Sequence, residues 1–233
     1  MRNLISKKWL LRLVVLVALF VISPSAKADP FLMGTTTTNP GGTVFPGLVA
    51  SGTPAGTLLA SIVEPFSFVT TAGTTSGALT AAVYRNSSGT LDFYYQVMNN
   101  ANSATAIARM TAVSFSGFLT NTGFRVDAVG PFVAANLPPV TADRNGSGTT
   151  VGFSFLPPDA SKVLPGLTSS TLVISTNATS FTAGNASVID GGTQTVGAFQ
   201  PLATTVPEPA TMLLLGTGLV GIAAKVRKRR KTV

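Results

Sequence analysis

Residues 79–97 read Leu79-Thr80-Ala81-Ala82-Val83-Tyr84-Arg85, then Asn86-Ser87-Ser88-Gly89, then Thr90-Leu91-Asp92-Phe93-Tyr94-Tyr95-Gln96-Val97. Two runs alternate in polarity on either side of a cluster of turn formers, which is the pattern of a β-hairpin. In the second run Leu91, Phe93, Tyr95 and Val97 share one face, while Asp92, Tyr94 and Gln96 share the other. Period two with one apolar face means a strand in a sheet that packs on something. Tyr84, Tyr94 and Gln96, if on the exposed face, could stack on sugar rings, but ordinary cross-strand aromatic packing is the commoner arrangement.

The same test extends outward from the hairpin. Residues 57–70 read as two strands broken near Glu64-Pro65, because proline removes a ladder donor. Residues 104–115 form a long apolar run, in which Arg109 interrupts the face of Ile107, Val113 and Phe115 and obscures the register. Residues 124–129 alternate weakly, Val151, Phe153 and Phe155 share a face, and residues 167–175 and 187–190 are further strands. Short strands punctuated by Gly, Pro and Asn predict an all-β fold, an antiparallel β-sandwich or jelly-roll-like ectodomain over residues 29–190. Helix is expected only at the two ends, as an N-terminal signal helix and a C-terminal transmembrane helix. Residues 34–42, with four consecutive threonines, and 191–205 read as flexible segments, the second a spacer. No repeat of fixed period points to a solenoid or propeller.

Charge is informative only once it is located. The whole chain is formally +8. Within residues 29–206, however, Arg85, Arg109, Arg125, Arg144 and Lys162 face Asp29, Glu64, Asp92, Asp127, Asp143, Asp159 and Asp190, a formal −2. The positive excess belongs to the two ends, so no basic patch is available for a phosphate backbone and nucleic acid is not an expected partner.

The chain holds no Cys and no His. Disulfides, thiolate sites, Ser-His-Asp and Cys-His nucleophiles and the common zinc sites are thereby excluded. No metal, no cofactor and no catalytic residue is expected, and the chain is read as not an enzyme. The carboxylates are spread singly, without the pairing that a glycosidase needs. Asp143-Arg144-Asn145-Gly146-Ser147-Gly148 lacks the alternating acidic ligands of a calcium loop and reads as a hairpin turn. Four Asn-x-Ser/Thr triplets, at Asn86, Asn145, Asn177 and Asn185, are read as turn chemistry.

The two ends carry addresses. At the N-terminus, Arg2, Lys7, Lys8 and Arg12 precede an apolar run at residues 13–22 and the small-residue site Ala26-Lys27-Ala28. This is the pattern of a secretory signal peptide over residues 1–28, in which Ala26 and Ala28 are the small residues of the cleavage site and signal peptidase, after the general secretion machinery has engaged the chain, leaves Asp29 as the first mature residue. At the C-terminus, Pro207-Glu208-Pro209 forms an extended elbow, because proline cannot continue a helix and pushes its predecessor out of the helical region. The uncharged run 210–224 follows, then Lys225, Arg227, Lys228, Arg229, Arg230 and Lys231. As a helix that run would reach roughly 22 Å at ~1.5 Å per residue, a short membrane span, with the basic residues keeping the tail cytoplasmic. Gly216-Thr217-Gly218-Leu219-Val220-Gly221 fits the dinucleotide pattern only by letter. It has no strand before it, and its glycines read as close-packing or gripping points within the span.

This tripartite tail, residues 206–231, resembles the PEP-CTERM sorting signal of exported proteins of Gram-negative bacteria. The resemblance rests on Pro207-Glu208-Pro209, on the short span that begins Met212-Leu213-Leu214-Leu215-Gly216, and on the basic end. It implies that exosortase, a membrane-embedded cysteine transpeptidase, is a partner. It also implies an inner-membrane-anchored precursor with its ectodomain outside, later passed to the cell surface or extracellular matrix. Association with exopolysaccharide or biofilm is a further expectation of the resemblance. A carbohydrate-binding adhesin and a carboxylate-dependent hydrolase are the alternatives for the ectodomain.

Overall fold

The structure, a computed structural model, describes residues 36–50 and 52–202. The signal peptide, Pro207-Glu208-Pro209, the span 210–224 and the basic tail lie outside the described residues. Thirteen strands form two sheets. The larger runs β1 (Thr36–Thr37), β8 (Thr120–Arg125), β11 (Thr171–Thr176), β6 (Leu91–Asn99), β5 (Gly73–Arg85) and β4 (Thr57–Thr70), with β3 (Gly47–Leu48) also beside β8. The smaller runs β13 (Thr193–Pro201), β12 (Phe181–Ile189), β7 (Arg109–Ala112), β10 (Val151–Ser154), β9 (Thr141–Arg144) and β2 (Thr43–Val44). Pairing is antiparallel throughout except for the short parallel pair of β3 and β8.

Alternation explains the sandwich. Leu91, Phe93, Tyr95 and Val97 of β6 are buried together with Leu79, Ala81 and Val83 of β5 and Leu172 and Ile174 of β11. They meet Met110, Ala112, Val151, Phe153, Ala186 and Val188 of the opposing sheet in one continuous core. The expected antiparallel sandwich is therefore present. Among the described residues there is no α-helix, and none is long and apolar enough to cross a membrane.

Several boundaries differ from the sequence reading, each for a physical reason. Residues 57–70 are one strand, because β4 lies at the edge of its sheet and the missing donor of Pro65 costs no ladder bond there. A register shift between Leu58 and Ala60 supplies the irregularity instead. The long run 104–115 contains only the four-residue β7. Met110 and Ala112 point inward and Arg109 outward, which settles the register that Arg109 had obscured. The expected spacer 191–205 is in large part β13, which pairs residue for residue with β12 through its Thr, Gln and Gly positions. Low-complexity composition does not prevent a strand when a neighbour supplies the ladder. Residues 36–42, expected to be flexible, form β1 and a turn against β8.

Tyr84 and Tyr94 take the cross-strand packing, with ring centroids 4.7 Å apart, and do not form an open platform. Tyr84, Tyr94 and Gln96 are 3%, 0% and 4% exposed. The outer face of the larger sheet is covered by chain near Val49 and Ala55 and by the long β8–β9 connection, which places Phe132 against Tyr94. Gln96 binds that connection directly: its Nε2 donates to Val133 O at 2.8 Å and its Oε1 accepts from Val133 N at 3.1 Å. Polar residues on a strand's second face predict solvent only when nothing crosses over it.

Candidate functional site: the C-terminal strand and the end cleft

The sandwich ends in its exit strand. β13 is an edge strand, and its last residue, Pro201, precedes the Pro-Glu-Pro elbow by only a few positions. Residues 202–206 fully extended reach about 17 Å at most. Glu64 of β4 faces inward over Gly197 of β13, and Pro65 sits beside it. An inward charge and a proline at the sheet edge discourage edge-to-edge pairing with another chain.

Most of the carboxylates are engaged by cations or amides. Asp143 accepts a bidentate grip from Arg109, the Nη2 arm at 2.8 Å. Asp127 accepts from Nε and Nη2 of Arg125 at 3.0 and 2.8 Å, and these bonds hold its carboxyl below the ordinary 3.8. Asp159 and Asp190 each lie 3.2 Å from Nζ of Lys162. Asn86 Nδ2 donates to Asp92 at 3.1 Å. Among the described residues no group of three or more Asp or Glu is placed to hold a metal ion.

Sequence reasoning missed one place, a cleft of about 520 Å³ at the end of the sandwich. Its walls are the β1–β2 connection, the β7–β8 loop, the tip of the β9–β10 hairpin and the end of β11. The hairpin is the one expected at Asp143 to Gly148, closed by Gly148 N to Asn145 O at 2.9 Å. Because strand residues alternate, Asp143 points out to Arg109 and its neighbour Arg144 points in. Arg144 is 5% exposed. Its Nε donates to Gly148 O at 3.0 Å, and its Nη2 to Phe115 O and Phe118 O at 2.7 and 2.9 Å. No carboxylate pairs with it among the described residues, and burial holds its guanidinium below the ordinary 12.5 with nothing opposing. Gly148 takes φ +71° beside it, and a Cβ there would stand 3.2 Å from Nη2 of Arg144 and 3.3 Å from Pro40. Ser114, in the adjoining loop, holds a left-handed φ of 72°, a strained value for a residue with a side chain. The only sequence signal was an arginine adjacent to a hairpin turn; its lack of an acidic partner becomes visible only in three dimensions.

The described residues form a two-sheet antiparallel domain, and in sequence its last strand is followed by Pro207-Glu208-Pro209, an uncharged apolar run and a basic end, the order of a folded passenger and a C-terminal sorting segment. Residues 205–230 match the family model of the PEP-CTERM protein-sorting motif. The chain thus carries that motif, which supports exosortase-dependent sorting of an exported protein and implies processing by that membrane enzyme. No curated protein and no solved structure matches the chain.

Proposed function

We propose that the chain is a surface or extracellular-matrix β-sandwich that exosortase handles at Pro207-Glu208-Pro209, associated with exopolysaccharide or biofilm and acting without catalysis of its own. The observation that carries this reading is the motif match at 205–230, which begins four residues beyond the end of β13 at Pro201. A cut at Pro207-Glu208-Pro209 falls beyond all thirteen strands of the described residues, which would leave together. Signal peptidase at Ala26 and Ala28 and a membrane span at 210–224 complete the proposed route.

A non-catalytic role is supported by the carboxylates: Asp127, Asp143, Asp159 and Asp190 each face a cation. That engagement of four of the six described carboxylates counts against the hydrolase alternative, which needs a pair for acid and base work. The adhesin alternative loses its aromatic platform, since Tyr84 and Tyr94 are buried. Fractionating cells with and without exosortase activity tests the proposal. The protein should leave the inner membrane only in cells that have the enzyme; equal release from both would refute it.

A further inference from the structure

We propose that the end cleft binds a carboxylate-bearing, hydroxyl-rich ligand, the chemistry of a uronic acid unit, with the Arg144 guanidinium as its charge partner. This is independent of the sorting reading, because it concerns the folded sandwich and not its tail.

Four observations carry it. First, the cleft has the volume of a small-ligand site, between about 300 and 1,000 Å³. Second, among the described residues Arg144 is the only charged one that lines it, and no Asp or Glu does. Its guanidinium has carbonyl partners but no counter-charge, which an anion brought to it would supply. Three backbone carbonyls occupy Nε and Nη2, fixing the guanidinium, while Nη1 has no hydrogen-bond partner among the described residues. Third, Gly148 keeps the guanidinium free of a covering side chain. Fourth, the remaining wall is mainly apolar, with the surfaces of Phe118 and Leu119, and is interrupted by a few hydroxyl and amide groups, such as Thr37, Asn121 and Asn177. That mixture suits a sugar ring, which offers hydroxyls at its edge and C–H groups on its face. One guanidinium with no second cation matches a singly charged carboxylate better than a phosphate dianion.

The test is calorimetric titration of the full chain in detergent micelles with trigalacturonate, its neutral methyl ester and monomeric galacturonate. Leu119 is 73% exposed, and only its backbone amide is engaged, by Asn177. Leu119→Asp therefore adds a repelling charge at the rim without touching the anchor. Trigalacturonate should bind, with the ester and the L119D variant each weaker by about tenfold or more. Arg144→Gln should abolish binding in protein whose circular dichroism is unchanged; should it misfold, L119D and the ester decide. Equal binding of monomer and trimer would identify a free acid as sufficient, whereas binding of the trimer alone would identify a polysaccharide. Equal binding of acid and ester, no effect of L119D, or no trigalacturonate binding up to about 1 mM would overturn the proposal.

Discussion

The Tyr95 hydroxyl donates to the Phe199 carbonyl at 3.0 Å across 104 residues of sequence. One end of this bond lies in the central hairpin and the other in the last strand before the sorting segment. Tyr95 is 1% exposed, and burial pushes its hydroxyl well above the ordinary 10.0. The bond therefore ties β13 to the core of the opposing sheet, and it does so with a neutral phenol.

Tyr95→Phe should cost about 1 kcal/mol, because Phe199 O loses its side-chain donor. The loss should appear as faster hydrogen exchange at Thr193–Pro201. The pH dependence has a definite sign. A phenol held above its ordinary value in the folded state adds stability that is fully present below pH 10.0 and is lost as pH rises above it. Urea midpoints should fall steeply above pH 10 in the wild type and less steeply in the variant.

Arg109 reaches Asp143 by crossing Gly152, the residue of β10 that pairs with both Thr111 and Asp143. A Cβ at position 152 would collide with the guanidinium. Gly152→Ala should therefore destabilise by about 1–2 kcal/mol, while the same change in an Arg109→Ala background should cost much less. A double-mutant cycle with no coupling would show that the glycine serves some other purpose.

Arg125 is 2% exposed and its ion-pair partner is Asp127, itself 27% exposed. Asp127→Asn leaves a buried guanidinium without its charge partner and should cost about 2–3 kcal/mol, less than for a fully buried pair. The Asp127 carboxyl sits below its ordinary 3.8, so its contribution is present above that pH and is lost as pH falls through the depressed folded value. Acid titration of thermal stability should show this loss in the wild type and not in the variant.

The fold was legible wherever side chains alternate over a buried face. Leu91, Phe93, Tyr95 and Val97 announced β6, and Val151, Phe153 and Phe155 announced the strand that faces it. Pro65 was misread as a break because a single segment does not reveal that its strand lies at an edge. Residues 193–201 were misread as spacer because small polar residues look alike whether or not a neighbouring strand pairs with them. The exposure of Tyr84, Tyr94 and Gln96 was left open because burial of a second face depends on a distant crossover, here the chain around Phe132 and Val133. Arg144 was invisible for a related reason: a missing counter-charge is a property of the neighbourhood, not of the neighbours in sequence. The sorting segment was legible because its chemistry is local and linear.

The central claim is tested most directly by intact-mass and peptide-level mass spectrometry of the protein from fractionated cells, beside a variant with Pro207-Glu208-Pro209 replaced by Ala-Ala-Ala. The wild-type chain should lack everything beyond the elbow and be found outside the inner membrane, while the variant should keep residues 225–231 and stay in it. Retention of residues 225–231 in the membrane by both chains would make the tail a plain anchor and contradict the sorting account.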